Sequence, residues 1–280
     1  MMTMPQNEAD WKQACATVAT AMQAHVEPVV TPLSTVIRDE DGKPTEGRLL
    51  GTGSYISALG TTMLITNEHN LAKLQTNSIG AQFRGNDKVF MVHSPCYSSR
   101  YPWDVGFSRI DPRVWTLQEL QPHTAEAIPE SRLAPAHQPV DNELLFFMGY
   151  AWQGSTFLYD TLLSRGTPYM MREVPLPEGW GEERFHFAID YRPDLAETVG
   201  RGAGLPRPDG FSGSLVWNTH YVECVTQGKT WSPEYAEVTG IVWGWPSSTA
   251  CLIATRIEHV RSFLLHAIDM MAAKGEITIP

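Results

Sequence analysis

The sequence lacks a dense cysteine pattern. Its four cysteines, Cys15, Cys96, Cys224 and Cys251, lie far apart and form no C-x-x-C pair. Structural zinc sites and disulfide-dense folds both need closely spaced cysteines, so neither is predicted and no metal ligand is assigned. Reduced thiols in a cytoplasmic protein are the simplest interpretation, and two scattered disulfides are the alternative.

The sequence also lacks a block of basic residues. Lys and Arg together number 21 against 31 Asp and Glu, which gives a net charge of -10. Proteins that bind nucleic acids present clustered Lys and Arg to the phosphates, so nucleic acid is not expected as a partner. No run of 18 apolar residues and no secretion signal is found in the sequence. We therefore expect neither a membrane partner nor export.

A helical signal is present at each end of the chain. From Glu8 to Val26, apolar residues recur every three or four positions, which predicts an amphipathic helix. Its apolar face is expected to pack on the body of the protein, with binding of a regulatory protein as the alternative. A second helix is predicted over residues 256–274, and Gly275 follows it at a position suited to ending a helix.

The residues between these helices favour β-structure. Short runs rich in Val, Ile, Thr, Tyr and Phe alternate with Gly, Pro, Asn and Asp, which is typical of an all-β fold. The predicted strands are 50–57, 62–66, 88–92, 105–110, 144–150, 185–190, 214–217, 237–243 and 251–254.

Prolines spaced through the polar segment 116–139 indicate a surface connection between two lobes. The sequence therefore predicts an N-terminal helical extension (1–45), a first lobe (46–125), a second lobe (126–255) and a C-terminal helix (256–280).

A serine between two glycines is the first candidate for a reactive group. The segment Gly210-Phe211-Ser212-Gly213 stands just before an apolar run, where a tight turn exposes the Ser212 hydroxyl. The backbone N–H groups of Gly210 and Ser212 are then placed to stabilise an oxyanion, which is worth about 3–4 kcal/mol per donor in proteases. Such a turn alone is more often structural, so this interpretation depends on a nearby base.

The best candidates for that base and its orienting acid are His69 and Asp104. The apolar run 62–66 ends in a polar turn containing His69, and Asp104 lies between Trp103 and another apolar run. A serine hydroxyl becomes nucleophilic only when an oriented base removes its proton. A carboxylate among apolar residues is expected to be partly buried and to need a partner such as an imidazole N–H. Asp87 is a weaker candidate for the acid.

Together these segments resemble the trypsin-like serine peptidase superfamily, in the order His, Asp, Ser. The matching motifs are Gly53-Ser54, Thr66-Asn67-Glu68-His69, Asp104-Val105-Gly106-Phe107 and Gly210-Phe211-Ser212-Gly213, and the resemblance covers residues 50–263.

The resemblance implies two antiparallel β-barrels and a triad of His69, Asp104 and Ser212. It also implies an oxyanion hole at the N–H groups of Gly210 and Ser212. The implied reaction is hydrolysis of peptide bonds in protein or peptide substrates through an acyl-enzyme, without a metal or an organic cofactor.

The chain departs from the family pattern near this site. No cysteine stands beside His69 or Ser212, which is similar to bacterial-type members without disulfides. Phe211 occupies the place of the aspartate that zymogen-forming members pair with a newly cut N-terminus, so such activation is not expected. Ser214 replaces a second glycine, and Trp243 replaces the serine that supports the buried aspartate.

The resemblance also places the wall of the substrate pocket. The candidates are Leu205, Pro206, Asp209, Trp243, Gly244 and Trp245. Pro206 stands where trypsin has the acid that binds lysine or arginine, so an apolar or small side chain is expected at the cleavage site. Asp209 lies near enough in sequence to keep a basic side chain as the alternative.

Two other functions fit parts of the pattern. The nucleophile motif of α/β-hydrolase esterases also starts with Gly-x-Ser. In this chain, however, Ser214 stands where that motif has its second glycine, and His69 precedes Ser212 instead of following it, which contradicts that class. The other is a protease-like fold that serves only as a binding or scaffold module. All three triad positions are filled, so the peptidase is preferred. An additional N-terminal helix suits the protease component of a regulated bacterial stress or defence system.

Overall fold

Two large antiparallel β-sheets and a long helix near each end make up the structure. It is a computed structural model that describes residues 7–41, 43–83, 89–93, 95–119, 125–158, 161–196 and 204–277. The predicted all-β fold, two antiparallel barrel sheets with a helix at either end, is confirmed. All of the predicted strands overlap observed strands, although residue 88 lies outside the described ranges.

Helix α1 (Glu8–Val26) begins the described chain. Asn7 caps it, because its Oδ1 accepts a hydrogen bond of 2.9 Å from the N–H of Asp10. Val18, Met22 and Val26, spaced four apart, are fully buried. They form one face of the helix, and that face is covered by the protein itself.

The first sheet comes from the first half of the chain. Its strands are β1 (Val30–Arg38), β2 (Pro44–Ala58), β3 (Thr61–Thr66), β4 (Ile79–Gln82), β5 (Val89–Val92), β6 (Cys96–Ser99), β7 (Val105–Arg109) and β8 (Ile128–Pro129). They are ordered β5-β4-β1-β2-β3-β7-β6, with β8 parallel to β2. The sheet therefore includes β1, from the segment that sequence analysis assigned to the N-terminal extension, and β8, from the predicted second lobe.

The second sheet comes from the second half. Its strands, and a separate hairpin formed by β10 and β11, are β9 (Leu145–Tyr150), β10 (Thr156–Leu158), β11 (Thr161–Leu163), β12 (Gly166–Met171), β13 (Glu173–Val174), β14 (His186–Asp190), β15 (Leu215–Asn218), β16 (Glu237–Gly244) and β17 (Cys251–Arg256). Their order in the sheet is β12-β9-β15-β16-β17-β14-β13. Helix α1 packs against β9 and β12 of this sheet.

The two sheets share one pattern of strand order. If the six main strands of each are lettered a to f along the chain, setting aside β5, β8 and β13, the first sheet runs d-a-b-c-f-e and the second runs b-a-d-e-f-c. Both are the same ring, a-b-c-f-e-d, opened at different places. The two halves of the chain therefore repeat one topology.

The remaining α-helices lie between strands or follow the last strand. They are α2 (Glu68–Leu71), α3 (Pro112–Glu119), α4 (Tyr221–Thr226) and α5 (Ile257–Ala273). Helix α5 packs against β16 and β17 of the second sheet and against β6 and β7 of the first. Gly275 follows it with a φ of +71°, the left-handed conformation that commonly ends a helix. The C-terminal helix is therefore confirmed, and it braces both sheets.

All four cysteines are free thiols. Burial raises the pKa of each of them above its ordinary value. Among the described residues, no helix is long and apolar enough to span a membrane. In the same ranges, no three His, Cys, Asp or Glu side chains are grouped so as to hold a metal ion.

Candidate active site

His69 lies in the short helix α2, one turn after strand β3 ends. Its ring is 45% exposed, and its Nδ1 lies 2.7 Å from Oδ2 of Asp104. The backbone N–H of the same histidine donates to Oδ1 of Asp104 over 3.1 Å. The carboxylate thus holds His69 at two points. A proton on Nδ1 donated to the carboxylate leaves Nε2 free to act as a base.

Asp104 occupies a tight turn immediately before strand β7. It is only 7% exposed, and its φ of +43° is a conformation that residues other than glycine rarely adopt. Its carbonyl oxygen accepts a hydrogen bond of 2.6 Å from Nδ2 of Asn67. The carboxylate receives its hydrogen bonds from His69, while the sequence competitor Asp87 lies outside the described residues.

Ser212 lies in the loop between β14 and β15, at the junction of the two sheets. Its carbonyl oxygen accepts hydrogen bonds from the N–H of Thr52 (2.9 Å) and from Nδ2 of Asn70 (3.2 Å). Asn70 is the neighbour of His69 in α2, so these contacts bring the serine loop to the histidine. Ser212 Oγ and His69 Nε2 are not hydrogen-bonded to each other, and such catalytic contacts commonly tighten only with substrate bound.

Thr52 ties the serine loop further to the first sheet. Its Oγ1 donates to the carbonyl of Gly210 over 2.9 Å and accepts from the N–H of Tyr150. Thr66 Oγ1 donates in turn to the carbonyl of Thr52, over 2.7 Å. Thr52, Thr66 and Asn70 are all buried, and Thr66 is part of the sequence motif around His69, whereas Thr52 and Asn70 were not singled out from the sequence. Their positions in the sequence, next to the Gly53-Ser54 and His69 motifs, are the signal that could have identified them.

Two backbone N–H groups of the serine loop are free to bind an anion. The carbonyl of Asp209 accepts from the N–H of Trp152 (2.7 Å), and the carbonyl of Phe211 accepts from the N–H of Ser214 (2.9 Å). In a trans peptide the C=O and N–H bonds point in opposite directions. The N–H groups of Gly210 and Ser212 therefore point away from these partners, and neither donates to a backbone group within the described residues.

Glycine is required at two positions of this loop. Gly210 and Gly213 have φ values of +104° and +94°. A Cβ on Gly210 would lie 2.5 Å from the carbonyl oxygen of Tyr150, and a Cβ on Gly213 would lie 2.0 Å from that of Thr52. Any other side chain would displace the loop and its two N–H groups.

Phe211 is fully buried, with its ring in an aromatic cluster. Its centroid lies 5.1 Å from that of Phe147 and 5.8 Å from that of Tyr191, both in edge-to-face arrangements. Such pairs add about 0.5–1.5 kcal/mol each to the burial of the rings. The loop is thus anchored by apolar contacts at the position of Phe211.

The structure divides the predicted pocket residues into two groups. Leu205 and Trp245 both pack on the aromatic cluster around Phe211, and the carbonyl of Pro206 accepts a hydrogen bond of 2.5 Å from Tyr191. Asp209 is exposed and pairs with Arg207 at 3.4 Å. These residues lie on the serine side of the site.

Trp243 belongs to the aspartate side instead. Its ring is 6.0 Å from Tyr101 and 5.2 Å from His186, and within the described residues its Nε1 has no hydrogen-bond partner. Gly244 follows it in strand β16, where, among the described residues, a Cβ would meet only Ile253, at 3.9 Å. Tyr101 and His186 were not identified from the sequence.

The sequence matches no protein-family model and no curated protein. Solved structures are similar to it at low sequence identity. The active form of the Rv3671c protease from M. tuberculosis is 17% identical, with a TM-score of 0.48 over 89% of this chain and 85% of that one. The serine endoprotease from Yersinia pestis is 12% identical, with a TM-score of 0.47 over 92% and 67%. The tobacco etch virus protease complexed with product is 14% identical, with a TM-score of 0.42 over 83% and 75%. Over most of its length, the chain is thus similar to solved protease structures.

Proposed function

We propose that this protein is a serine endopeptidase that uses Ser212 as nucleophile, His69 as base and Asp104 as orienting acid. The observation that carries the proposal is the two-point contact of His69 with the buried Asp104 carboxylate. That contact fixes the tautomer of His69 next to a serine loop whose two N–H groups are free.

In this mechanism, His69 Nε2 takes the proton of Ser212 as Oγ attacks the substrate carbonyl. The N–H groups of Gly210 and Ser212 receive the negative charge that develops on the carbonyl oxygen. His69 then gives its proton to the leaving amine, and water releases the acyl group by the same steps in reverse. Asp104 keeps the ring oriented and stabilises its protonated form, and no metal or organic cofactor takes part.

The aromatic anchor of Phe211 supports activity in the uncut chain. In the described structure the serine loop is held by the buried ring of Phe211, at the position that carries an aspartate in zymogen-forming members of the family that the sequence resembles. The proposed enzyme therefore needs no N-terminal cleavage to form its oxyanion hole.

The direct test is covalent labelling of the full chain with a fluorophosphonate probe. We expect wild type to be labelled at Ser212 and Ser212→Ala to be unlabelled. Ser214→Ala is a matched control, because Ser214 lies two residues away but its Oγ is buried and has no hydrogen-bond partner in the described structure. That variant should be labelled as wild type is. If folded wild-type protein neither reacts nor cleaves peptides, the scaffold function is favoured instead.

A further inference from the structure

The turn that carries Asp104 combines local hydrogen bonds with an uncommon backbone conformation. Within the turn, the N–H groups of Trp103 and Asp104 both donate to the carbonyl of Arg100, over 3.1 and 3.2 Å. Asp104 nevertheless has a φ of +43°, which persists only where the surroundings impose it. The groups that impose it determine where the carboxylate meets His69.

Three consecutive carbonyl groups of this turn accept hydrogen bonds from side chains of other elements. Pro102 accepts from Nε2 of His186 (2.7 Å), Trp103 from Oγ1 of Thr255 (2.8 Å), and Asp104 from Nδ2 of Asn67 (2.6 Å). Asn67 belongs to the first lobe, directly before α2. The other two donors come from strands β14 and β17 of the second sheet.

His186 and Thr255 form one unit. They are directly opposite each other in the antiparallel pair of β14 and β17, so their side chains emerge on the same face of the sheet. Both residues are buried, with exposures of 1% and 0%. The pair therefore presents two donors, side by side, to two successive carbonyl groups of the Asp104 turn.

The ring of His186 is fixed as a donor toward Pro102. Its Nδ1 accepts a hydrogen bond of 2.9 Å from the N–H of Glu182, so the proton of the neutral ring is on Nε2. Burial lowers the pKa of His186 below its ordinary value, which keeps the ring neutral. The ring also stacks on Tyr101, with centroids 5.7 Å apart.

We infer that His186, assisted by Thr255, is a positioning residue that holds the proposed catalytic acid in place from the opposite lobe. The inference rests on the proposed function, since it assigns Asp104 its role there. The His69–Asp104 pair, although both of its members belong to the first lobe, is then complete only when the second lobe is docked.

Two substitutions of His186 separate its hydrogen bonds. The amide nitrogen of glutamine lies as many bonds from the backbone as Nε2 of histidine, so His186→Gln retains the donor to Pro102. The shorter His186→Asn retains only an acceptor for the N–H of Glu182. Thr255→Val keeps the shape of the side chain and removes its donor, which provides a second variant if His186→Asn does not fold.

The matched control is His137→Asn. His137 is also buried in the second lobe, with Nδ1 bonded to Thr239 (2.7 Å) and Nε2 to Glu173 (3.1 Å), and its ring stacks on Phe187. It makes no hydrogen bond to the Asp104 turn within the described structure. Its substitution thus removes comparable buried hydrogen bonds without touching that turn.

The experiment measures three quantities on each full-length variant: the proton NMR resonance of His69 Nδ1–H, kcat and KM on a peptide substrate, and the thermal midpoint. For His186→Asn we expect the resonance to shift or broaden and kcat to fall about tenfold or more, with KM changed less than twofold. Thr255→Val should also shift the His69 resonance and lower kcat, but by smaller amounts than His186→Asn does. His186→Gln should recover kcat to within about threefold of wild type.

His137→Asn should lower the thermal midpoint without moving the resonance or kcat. If His186→Asn and Thr255→Val behave like His137→Asn, losing stability alone, the positioning role is overturned. If the resonance responds to His186→Asn in a protein that cleaves no peptide and binds no fluorophosphonate, the positioning role stands and the proposed peptidase function fails.

Discussion

At the scale of single residues, the serine loop requires glycine at two positions. Gly210 and Gly213 carry no Cβ, and the space a Cβ would need is occupied by carbonyl oxygens of Tyr150 and Thr52. The same close approach brings the loop against the first sheet. The position of the two free N–H groups thus follows from the glycines.

Gly210→Ala is expected to abolish most of the activity. The added methyl group would collide with the Tyr150 carbonyl and turn the Gly210 N–H away, and loss of one oxyanion donor costs about 10²–10³ in kcat. Strain at the positive φ adds a stability loss of about 1 kcal/mol or more. Kinetics and urea unfolding of the purified variant measure both effects.

Gly204→Ala is the control for this substitution. A Cβ at Gly204 meets no atom of the described residues within 4 Å, so activity and stability should stay at wild-type values. Full activity in Gly210→Ala would show that the N–H of Gly210 does not bind the oxyanion.

The candidate triad residues adjoin strands in the sequence: His69 follows β3, Asp104 precedes β7 and Ser212 precedes β15. Local pattern, together with the order of the three motifs, was enough to make them candidates. His186 could not be found in this way, since its hydrogen bond to Pro102 spans 84 residues. The separation of Trp243 from the other pocket residues likewise depends on packing between lobes.

At the scale of elements, helix α1 is a fixed part of the second lobe. Its buried face contacts β9 and β12, so the apolar stripe seen in the sequence packs on the body of the protein. At the end of the helix, the ring of His25 packs against Trp217, and its Nε2 lies 3.0 Å from the guanidinium of Arg132. Arg132 also donates to the backbone of Pro233 and Glu234.

This contact makes the docking of α1 sensitive to acid. Burial lowers the pKa of His25 below 6.5, and Arg132 lowers it further, against the opposing effect of Glu234 and Glu126. The unfolded chain therefore binds the proton more readily than the folded one. The stability that the neutral ring contributes is complete above about pH 6.5 and is lost as pH falls from there through the folded pKa.

We expect His25→Gln to remove this part of the acid sensitivity, because the amide cannot be protonated in that range and its oxygen can still accept from Arg132. Thermal midpoints measured from pH 7.5 to 5 should fall more steeply for wild type than for the variant. Parallel curves for the two proteins would contradict a neutral, buried His25.

Helix α4 could not be predicted from the local sequence pattern. Its residues Tyr221, Val222 and Val225 carry β-branched or aromatic side chains, which gives no helical signal. The helix is stabilised from outside, because the buried carboxylate of Glu143 accepts hydrogen bonds from the N–H groups of Val222 and Glu223. The partner lies about 80 residues away, so the element was absent from the sequence prediction.

At the scale of the whole molecule, one apolar core joins both halves. It contains buried residues of α1, of α5 and of both sheets. Phe263 of α5 belongs to this core, and its ring centroid lies 6.0 Å from that of Phe107 and 6.2 Å from that of Trp103, both in the first lobe. The core therefore includes contacts between the two lobes, which neither lobe could form by itself.

Because of this shared core, we expect urea to unfold the protein in a single transition. Phe263→Ala should lower the free energy of unfolding by about 3–5 kcal/mol, the usual cost of such a truncation in a core. Leu265→Ala, at an exposed position of the same helix, is the control and should change it by less than about 0.5 kcal/mol. Two separate transitions in wild type would show that the lobes unfold independently.

Each half of the chain also contributes a terminal helix that packs on the sheet of the other half. Helix α1 belongs to the first half of the chain and packs on the second sheet, while α5 belongs to the second half and reaches β6 and β7 of the first. Cleavage of the chain between the last strand of the first sheet and the first strand of the second would leave two fragments that still contact each other through α1 and α5. For an enzyme proposed to cleave peptide bonds, we expect a molecule nicked there to remain associated, because each fragment contains a helix that packs on the sheet of the other.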